Sequence, residues 1–472
     1  MLPSDRPRPL RRHAVHCRIE ALEFRRLLTA FFVSTTGSDG NLGTSLGSPF
    51  RTIQQAVNAA LPGDTVFVRG GTYRETVSTP RSGTAAARIT IESYQGEAVK
   101  LSGTDGLPGP WTSVGNEVYR APMAWNYQFE NQSAAYNSNQ LFFGGAMMHL
   151  ARWPDQTNPD LLRPSNAIAD NIIFSKSNPA LASNDLATIT DAQFTDSPTR
   201  WIGARIWVNL SRPSFDGQGQ TGTVVAASAN SITVTGIDTR GGLQAWGIGT
   251  GTEYYLFQPT LASLNASGGI VAGIDRGEWF LDTSAQQVYV RTPAGLQPGS
   301  DSVEAKRRTF AFNLDGDSFI TLRRFNLFAT SLTTDSLSPN RNVLGGVAAA
   351  SNILIDAFDV QHVTHFTDQA GNYQMQWPQK SGLILSGSDI VLSNSTFRYS
   401  SGSGVSIIGR RNKVLHSVFR DLNLAITDAG VINFGKTFDP GPFRVVSEDH
   451  EFAHNHIYDS PQQLSLIHIS EP

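Results

Sequence analysis

The sequence predicts an all-β fold, a right-handed parallel β-helix. Three observations carry that expectation. A phrase of apolar alternation recurs: SFITLRRFNLF begins at Ser318, SNILIDAFDVQ at Ser351 and SDIVLSNSTFR at Ser388, with Ile320, Ile353 and Ile390 in the same place. Further on, Leu392 and Phe397 are matched by Val414 and Phe419, each 22 residues later (392 to 414, 397 to 419). Only 16% of the residues are charged and 43 are Gly, a composition of turn-rich β structure rather than of coiled coil or disorder.

A short strand that returns after roughly 20–40 residues marks a solenoid. Parallel strands then stack about 4.8 Å apart, and alternate side chains meet like residues of the next coil. Ile320, Leu322, Ile353, Ile355, Ile390 and Leu392 are the expected inward columns. One coil cannot bury its own face, so stability comes from its neighbours. A β-sandwich, the competing reading, would explain strands at regular spacing but not the return of a whole phrase.

Composition bounds the function. A net charge of −3 gives no sign of nucleic-acid binding, and the cations are concentrated in residues 1–27, with seven Arg against three acids. No apolar run reaches the roughly 18 residues of a membrane span. The one cysteine, Cys17, lies in this leader, so the folded part carries no disulfide.

Taken in order, residues 1–30 are expected to be a disordered, export-associated leader, which places the protein outside the cell or on its surface. Residues 31–110 form the N-terminal cap and first coils. In them Thr52 caps a short helix whose face carries Ile53, Val57 and Ala60, and Pro62-Gly63 stops it. That helix is a fitting plug for the open end of a solenoid. Residues 111–309 lose the phrase, although strands such as ARIWVNL and GEWFLD persist, and form an inserted β-rich subdomain. Seven of the eight Trp fall there, where core packing is the ordinary use of the side chain. Residues 310–463 resume the coils and carry the candidate site. The polar, aromatic stretch 364–379, with Trp377, interrupts two coils and is expected to rim a cleft that binds substrate.

Several of these segments resemble known families. ALEFRRLLTA is similar to the LEPR-x-LL leader of planctomycete cell-surface proteins, with Phe24 where that pattern has Pro. The opening GSDGNLGT…SPFRTIQQAV…PGDTVFVRGGTYRE resembles secreted β-helix proteins of the pectate-lyase-like superfold, which includes polysaccharide lyases and glycoside hydrolases. MMHLARWPDQ, GEWFLDTSAQQVYVRTP and SVEAKRRTFAFNLDG resemble bacterial β-helix proteins grouped with the α-L-fucosidase and xylanase family of glycoside hydrolases. The last residues, 464–472, resemble translated sequencing-adapter read-through, which implies a non-native tail and further coils in the natural protein. That complete protein is expected to be a monomer.

The candidate chemistry lies late in the chain. Asp428, in TDAGVINFG, precedes Ala-Gly, where backbone can approach a ligand closely. The segment resembles the D-x-G-x-I/Y stretch of β-helix glycosidases, in which such an Asp faces the groove; the alternative is a turn residue bonded to its own backbone. HNHIYD adds His454, His456 and Asp459, with Asn455 a candidate for a ladder inside the turn. Asp428, Asp459 and His456 are the catalytic candidates. Arg410, Arg411, His416, His454 and Trp377 are the substrate-binding candidates, Arg being suited to a carboxylate.

A glycoside hydrolase needs two carboxylates across the sugar, Asp428 and either one of Asp459, Asp421 or Asp449 or one on a further coil of the natural protein. A polysaccharide lyase needs a base and a cation beside a uronate, for which Arg411, Lys380 and the His residues are available. A non-catalytic carbohydrate-binding adhesin is the third possibility. The partner in each is a polysaccharide or oligosaccharide. No cofactor is expected. GSDG and LDGDS are too short for a calcium loop, and scattered Asp leave calcium open.

Overall fold

The computed structural model describes residues 28–127, 139–155, 166–181, 185–194, 198–209, 219–237, 250–266, 269–335, 350–364, 382–423, 431–434 and 447–460. Three parallel sheets wind along one axis as a parallel β-helix. The first sheet runs through Ala30–Val33, Thr65–Val68, Ile89–Ser93, Ile320–Arg323, Leu354–Asp356, Val391–Ser393, Lys413–Leu415 and Glu451–Ala453. The second runs through Gly71–Tyr73, Val99–Ser102, Asn326–Phe328, Asp359–Gln361, Thr396–Arg398, Val418–Arg420 and His456–Tyr458. The third joins Val77–Ser78, Phe310–Asn313, Ser331–Thr333, Leu383–Ser388, Val405–Arg410 and Ile432–Phe434.

The register is the one the repeated phrase implies. Leu322 pairs with Ile355, Ile355 with Leu392 and Leu392 with Val414. Val360 pairs with Phe397 and Phe397 with Phe419. Ile320, Ile353 and Ile390 are buried in the same core, and the flanking Ser318, Ser351 and Ser388 bridge in parallel. Each such aliphatic contributes roughly 1.5–3 kcal/mol relative to exposure. Inside one turn, Phe358 N–H donates to Ser395 Oγ at 3.1 Å, Ser395 N–H to Ser417 Oγ at 3.1 Å, and Ser417 N–H to Asn455 Oδ1 at 2.9 Å. Asn455 thus ends a ladder whose other rungs are serines.

The coils turn by a recurring device. A residue in the left-handed region sits at each of three corners, five positions apart: Phe319, Arg324 and Ala329, then Asn352, Ala357 and His362, then Asp389, Asn394 and Tyr399, then Arg411, His416 and Asp421, then Asp449, His454 and Asp459. One such residue bends the backbone without breaking the ladder on either side. The corner from first to second sheet is called the first corner below, that from second to third the second, and that from third to first the third.

Among the described residues between Thr104 and Lys306 the strand pairing is antiparallel in all but one case, so the change of pattern begins before Trp111. One sheet of this region contains Leu141–Phe143, Ala146–Leu150, Glu278–Asp282, Gln287–Arg291 and Val303–Lys306. A second contains Arg205–Asn209, Gly219–Ser228, Ser231–Thr235 and Glu253–Phe257. The solenoid continues across the excursion without a missing coil, because Ile91 pairs directly with Leu322 and Leu101 with Leu327. Trp201 and Trp279 are fully buried within the antiparallel region. The helix Ile53–Ala59 places Ile53, Ala56 and Val57 in the solenoid core, with Thr52 Oγ1 accepting from Gln55 N–H at 3.2 Å. Among the described residues no helix is long and apolar enough to cross a membrane.

Candidate functional site

Three of the longer connections begin at the second corner, whereas the stretches 336–349 and 435–446, outside the described residues, follow strands of the third sheet. The antiparallel region leaves after Ser102, at the end of a second-sheet strand, and returns to the third sheet at Phe310. Residues 365–381 and 424–430, both outside the described residues, are entered from Thr364 and Asn423, each just past the same corner. By contrast the coil through Tyr399 closes in a few residues, from Ser400 to Val405. Long connections gathered at one edge of a repeat fold are where binding surfaces are built.

The outward row beside this corner reads Ser102, Phe328, Gln361, Arg398, Arg420 and Tyr458 across successive coils. The parallel row reads Lys100, Asn326, Asp359, Thr396, Val418 and His456. The antiparallel region leans against these rows. Phe142 lies 4.7 Å from Phe328 and 5.1 Å from His362, centroid to centroid. Tyr127 shares a 2.8 Å hydrogen bond with Thr309. Lys306, only 4% exposed, sets its ammonium 5.2 Å from the centre of the Tyr127 ring.

Cations and carboxylates meet at the corner. Arg398 pairs with Asp359 at 2.8 Å and Arg420 with Asp421 at 2.6 Å, and both guanidiniums approach the Tyr399 ring, at 5.9 and 5.3 Å. Lys100 stands 3.9 Å over the Phe328 ring. Burial pushes the Lys306 ammonium down to about 7. His362 is held at about 3, first by burial and then by the charges of Lys306, Arg398 and Lys100, so its imidazole is neutral.

The residues singled out from sequence fall on all three corners. Arg410 and Arg411 are at the third, where Arg410 pairs with Glu448 at 2.7 Å and Arg411 forks onto Asp389 at 2.8 and 2.7 Å. His416 and His454 are together at the first corner, their rings parallel within 5° and 4.8 Å apart. Corners are five residues apart, roughly 15 Å of extended chain. Arg410, Arg411 and His416 therefore do not converge on one sugar, as their closeness in sequence had suggested. Asp459 and Asp421 belong to the second corner, where Asp421 N–H donates to the Asp459 carbonyl at 3.1 Å. His456 is exposed on the outer face of the second sheet, opposite Val418. Asp449 is at the third corner. Asp428, Trp377 and Lys380 lie outside the described residues.

Lys100, Lys306, His362, Arg398, Tyr399 and Arg420 were not singled out from sequence. A signal for two of them was present: Arg398 and Arg420 follow Phe397 and Phe419 at the same 22-residue offset (398 to 420). Among the described residues no three His, Cys, Asp or Glu side chains converge as ligands for a metal.

The architecture is that of a parallel β-helix, consistent with the pectate-lyase-like class. Over 92% of this chain and 78% of its own, a solved structure described as a glycoside hydrolase superposes with a TM-score of 0.58 at 15% identity, a likeness of fold. No family model matches the chain. A stretch of 92 residues is 41% identical to the uncharacterized protein YwoF of Bacillus subtilis, covering 20% of this chain and 18% of that protein. A stretch of 85 residues is 41% identical to the pectate lyase PEL9 of Emericella nidulans, covering 18% of this chain and 20% of that enzyme. The chain thus spans about a fifth of the length of these curated relatives.

Proposed function

We propose that the protein is a carbohydrate-active enzyme that cleaves a polysaccharide laid across the outer face of the second sheet, at the second corner. The observation that carries this reading is the departure of the antiparallel region from that edge, beside a face lined by Arg398, Arg420, Tyr399 and Thr396. Planar aromatic and guanidinium groups beside small hydroxyls are the usual furniture of a sugar site. A fold shared with a glycoside hydrolase and a short stretch of identity to a pectate lyase support the substrate class.

The chemistry favoured is hydrolysis of a glycosidic bond by two carboxylates. Asp428 serves as general acid and Asp459 or Asp421 as its partner, the latter two standing on adjacent coils of this corner. His456 lies on the same outer face as a further polar group. A second reading, β-elimination from a uronate, is favoured by a specific feature: Arg398 and Arg420 stand on adjacent coils of the outer face, both beside the Tyr399 ring. Incubation with a panel of neutral and acidic polysaccharides separates the two. New reducing ends without ultraviolet absorbance mean hydrolysis, and an absorbing unsaturated uronide means elimination. Binding without either product returns the protein to a non-catalytic adhesin.

The same reading includes right-handed winding, export of the protein to the cell surface or beyond, and a capping role for the helix Ile53–Ala59. Support for the last is the seating of Ile53, Ala56 and Val57 against Val33, Val66 and Val68, on the outermost strands of the first sheet.

A further inference from the structure

His416 and His454 hold the first corner on adjacent coils, both exposed and both in the left-handed region. The strands before them pair in register, Leu415 with Ala453, and His416 N–H donates to the Ala453 carbonyl at 3.2 Å. Two identical side chains thus leave near-identical backbone one coil apart, and their rings are parallel within 5° with centres 4.8 Å apart. The three preceding coils carry Arg324, Ala357 and Asn394 at this corner. Among the described residues neither imidazole has a hydrogen-bond or ion-pair partner. Three residues before each ring, Lys413 and Glu451 pair at 2.5 Å, so the charge beside the two histidines is balanced.

A neutral imidazole presents one ring nitrogen as an acceptor, and the protein supplies no donor to either ring among the described residues. Imidazole nitrogen suits zinc, copper and nickel, whereas calcium and magnesium take oxygen. A tetrahedral ion at about 2.0–2.1 Å from each nitrogen needs the two donors roughly 3.4 Å apart. From rings 4.8 Å apart, each exposed tip has to tilt inward by less than about 1 Å, a side-chain rotation that leaves the backbone ladder in place. The other coordination positions fall to solvent, since no third His, Cys, Asp or Glu converges there among the described residues.

We propose that His416 and His454 form a two-histidine site for a divalent zinc, copper or nickel ion, which clips two adjacent coils together at the first corner. The site lies at a different corner from the proposed polysaccharide face and does not rest on that reading.

The test is calorimetric titration of the full chain with Cu²⁺, Ni²⁺ and Zn²⁺, and with Ca²⁺ and Mg²⁺, beside His416→Asn, His454→Asn and His456→Asn. Asn394 holds the same corner one coil earlier with a φ of +50°, so asparagine fits this backbone and the variants should fold. The parent should bind Cu²⁺ more tightly than Ni²⁺ or Zn²⁺, and neither Ca²⁺ nor Mg²⁺ at this site. His416→Asn and His454→Asn should each weaken the binding at least about tenfold, no less than loss of an outer-sphere partner does. Bound Cu²⁺ should show two equatorial nitrogens by electron paramagnetic resonance in the parent and one in either variant. Zn²⁺ should raise the thermal midpoint of the parent and not of the two variants. Undiminished affinity in either variant overturns the pair. Loss in His456→Asn with none in His416→Asn overturns it as well, by placing the ion on one coil. Binding without a shift of the midpoint overturns the clip.

Discussion

Phe397 and Phe419 lie face to face in the solenoid core, ring centroids 4.7 Å apart and planes within 9°, as in-register partners on adjacent coils. Both are fully buried. The stack turns the 22-residue offset of the sequence into a physical contact. Phe419→Ala should cost about 3–5 kcal/mol, the usual figure for a buried aromatic. Phe397→Ala should cost a similar amount, and the double variant less than the sum, because the two share one contact. Urea denaturation of the four proteins checks this; strict additivity would mean that the rings do not pack as described.

Gly387 and Gly409 are paired at the third corner, and Gly409 has a φ of +111°. A β-carbon on Gly409 would come within 1.9 Å of the Gly387 carbonyl oxygen. Since that neighbour is backbone, it cannot move aside without breaking the ladder. Gly409→Ala should therefore destabilise by several kcal/mol or prevent folding, whereas Ser406→Ala, three pairs earlier on the same strand, should change stability by about 1 kcal/mol or less. Denaturation midpoints of the two variants make the comparison.

His416 has a φ of +49° and stacks on His454, so its conformation has a structural purpose whatever its chemistry. His416→Val puts a β-branched residue in the left-handed region and should cost about 1–2 kcal/mol, while His416→Gly should fall within about 1 kcal/mol of the parent. The proposed site is at the second corner, so neither variant should change polysaccharide binding. Thermal melts and binding isotherms on the same samples check both.

Two buried bases at the second corner give stability a signed dependence on pH. Lys306 titrates at about 7 in the folded chain against 10.5 for an ordinary lysine, so between those values the unfolded chain holds a proton that the folded one lacks. Stability should rise with pH across that window and be lowest below it. For His362 the window runs from about 3 to 6.5, and stability should fall as pH drops through it. Lys306→Met should abolish the first slope and raise stability at neutral pH by on the order of a few kcal/mol, leaving the second slope in place. His362→Phe should do the reverse; Phe319 already occupies a corner of the same left-handed kind. Urea titrations at a series of pH values give both slopes.

The core of the solenoid was legible because inward residues repeat in kind. Ile320, Ile353 and Ile390, or Leu392 and Val414, are read as columns without knowing the turns between them. The corners were not legible. Residues as different as Phe319, Asn352, Asp389, Arg411 and Asp449 hold one conformation, since the parallel ladders on both sides impose it and no side-chain type is required. For that reason Arg411, His416 and Asp459, which in sequence look like a functional cluster, belong to three different edges. The cations gathered at the second corner were hidden for another reason. Lys100, Lys306 and His362 are brought together by the antiparallel region folding back on the second sheet, a contact between stretches that share no repeat. Only Arg398 and Arg420 carried a periodic signal.

The central claim is that the second corner cleaves a polysaccharide. The most direct measurement follows product formation by the full chain on an acidic polysaccharide and on a neutral one, beside Asp428→Asn and Arg398→Gln. The parent should release shorter chains. Asp428→Asn should slow release by a factor of roughly 10² or more if Asp428 is the general acid. Arg398→Gln should slow it on the acidic substrate more than on the neutral one, with both variants folded. Release at the parent rate by both variants would contradict the account, and so would the absence of product from every polysaccharide offered.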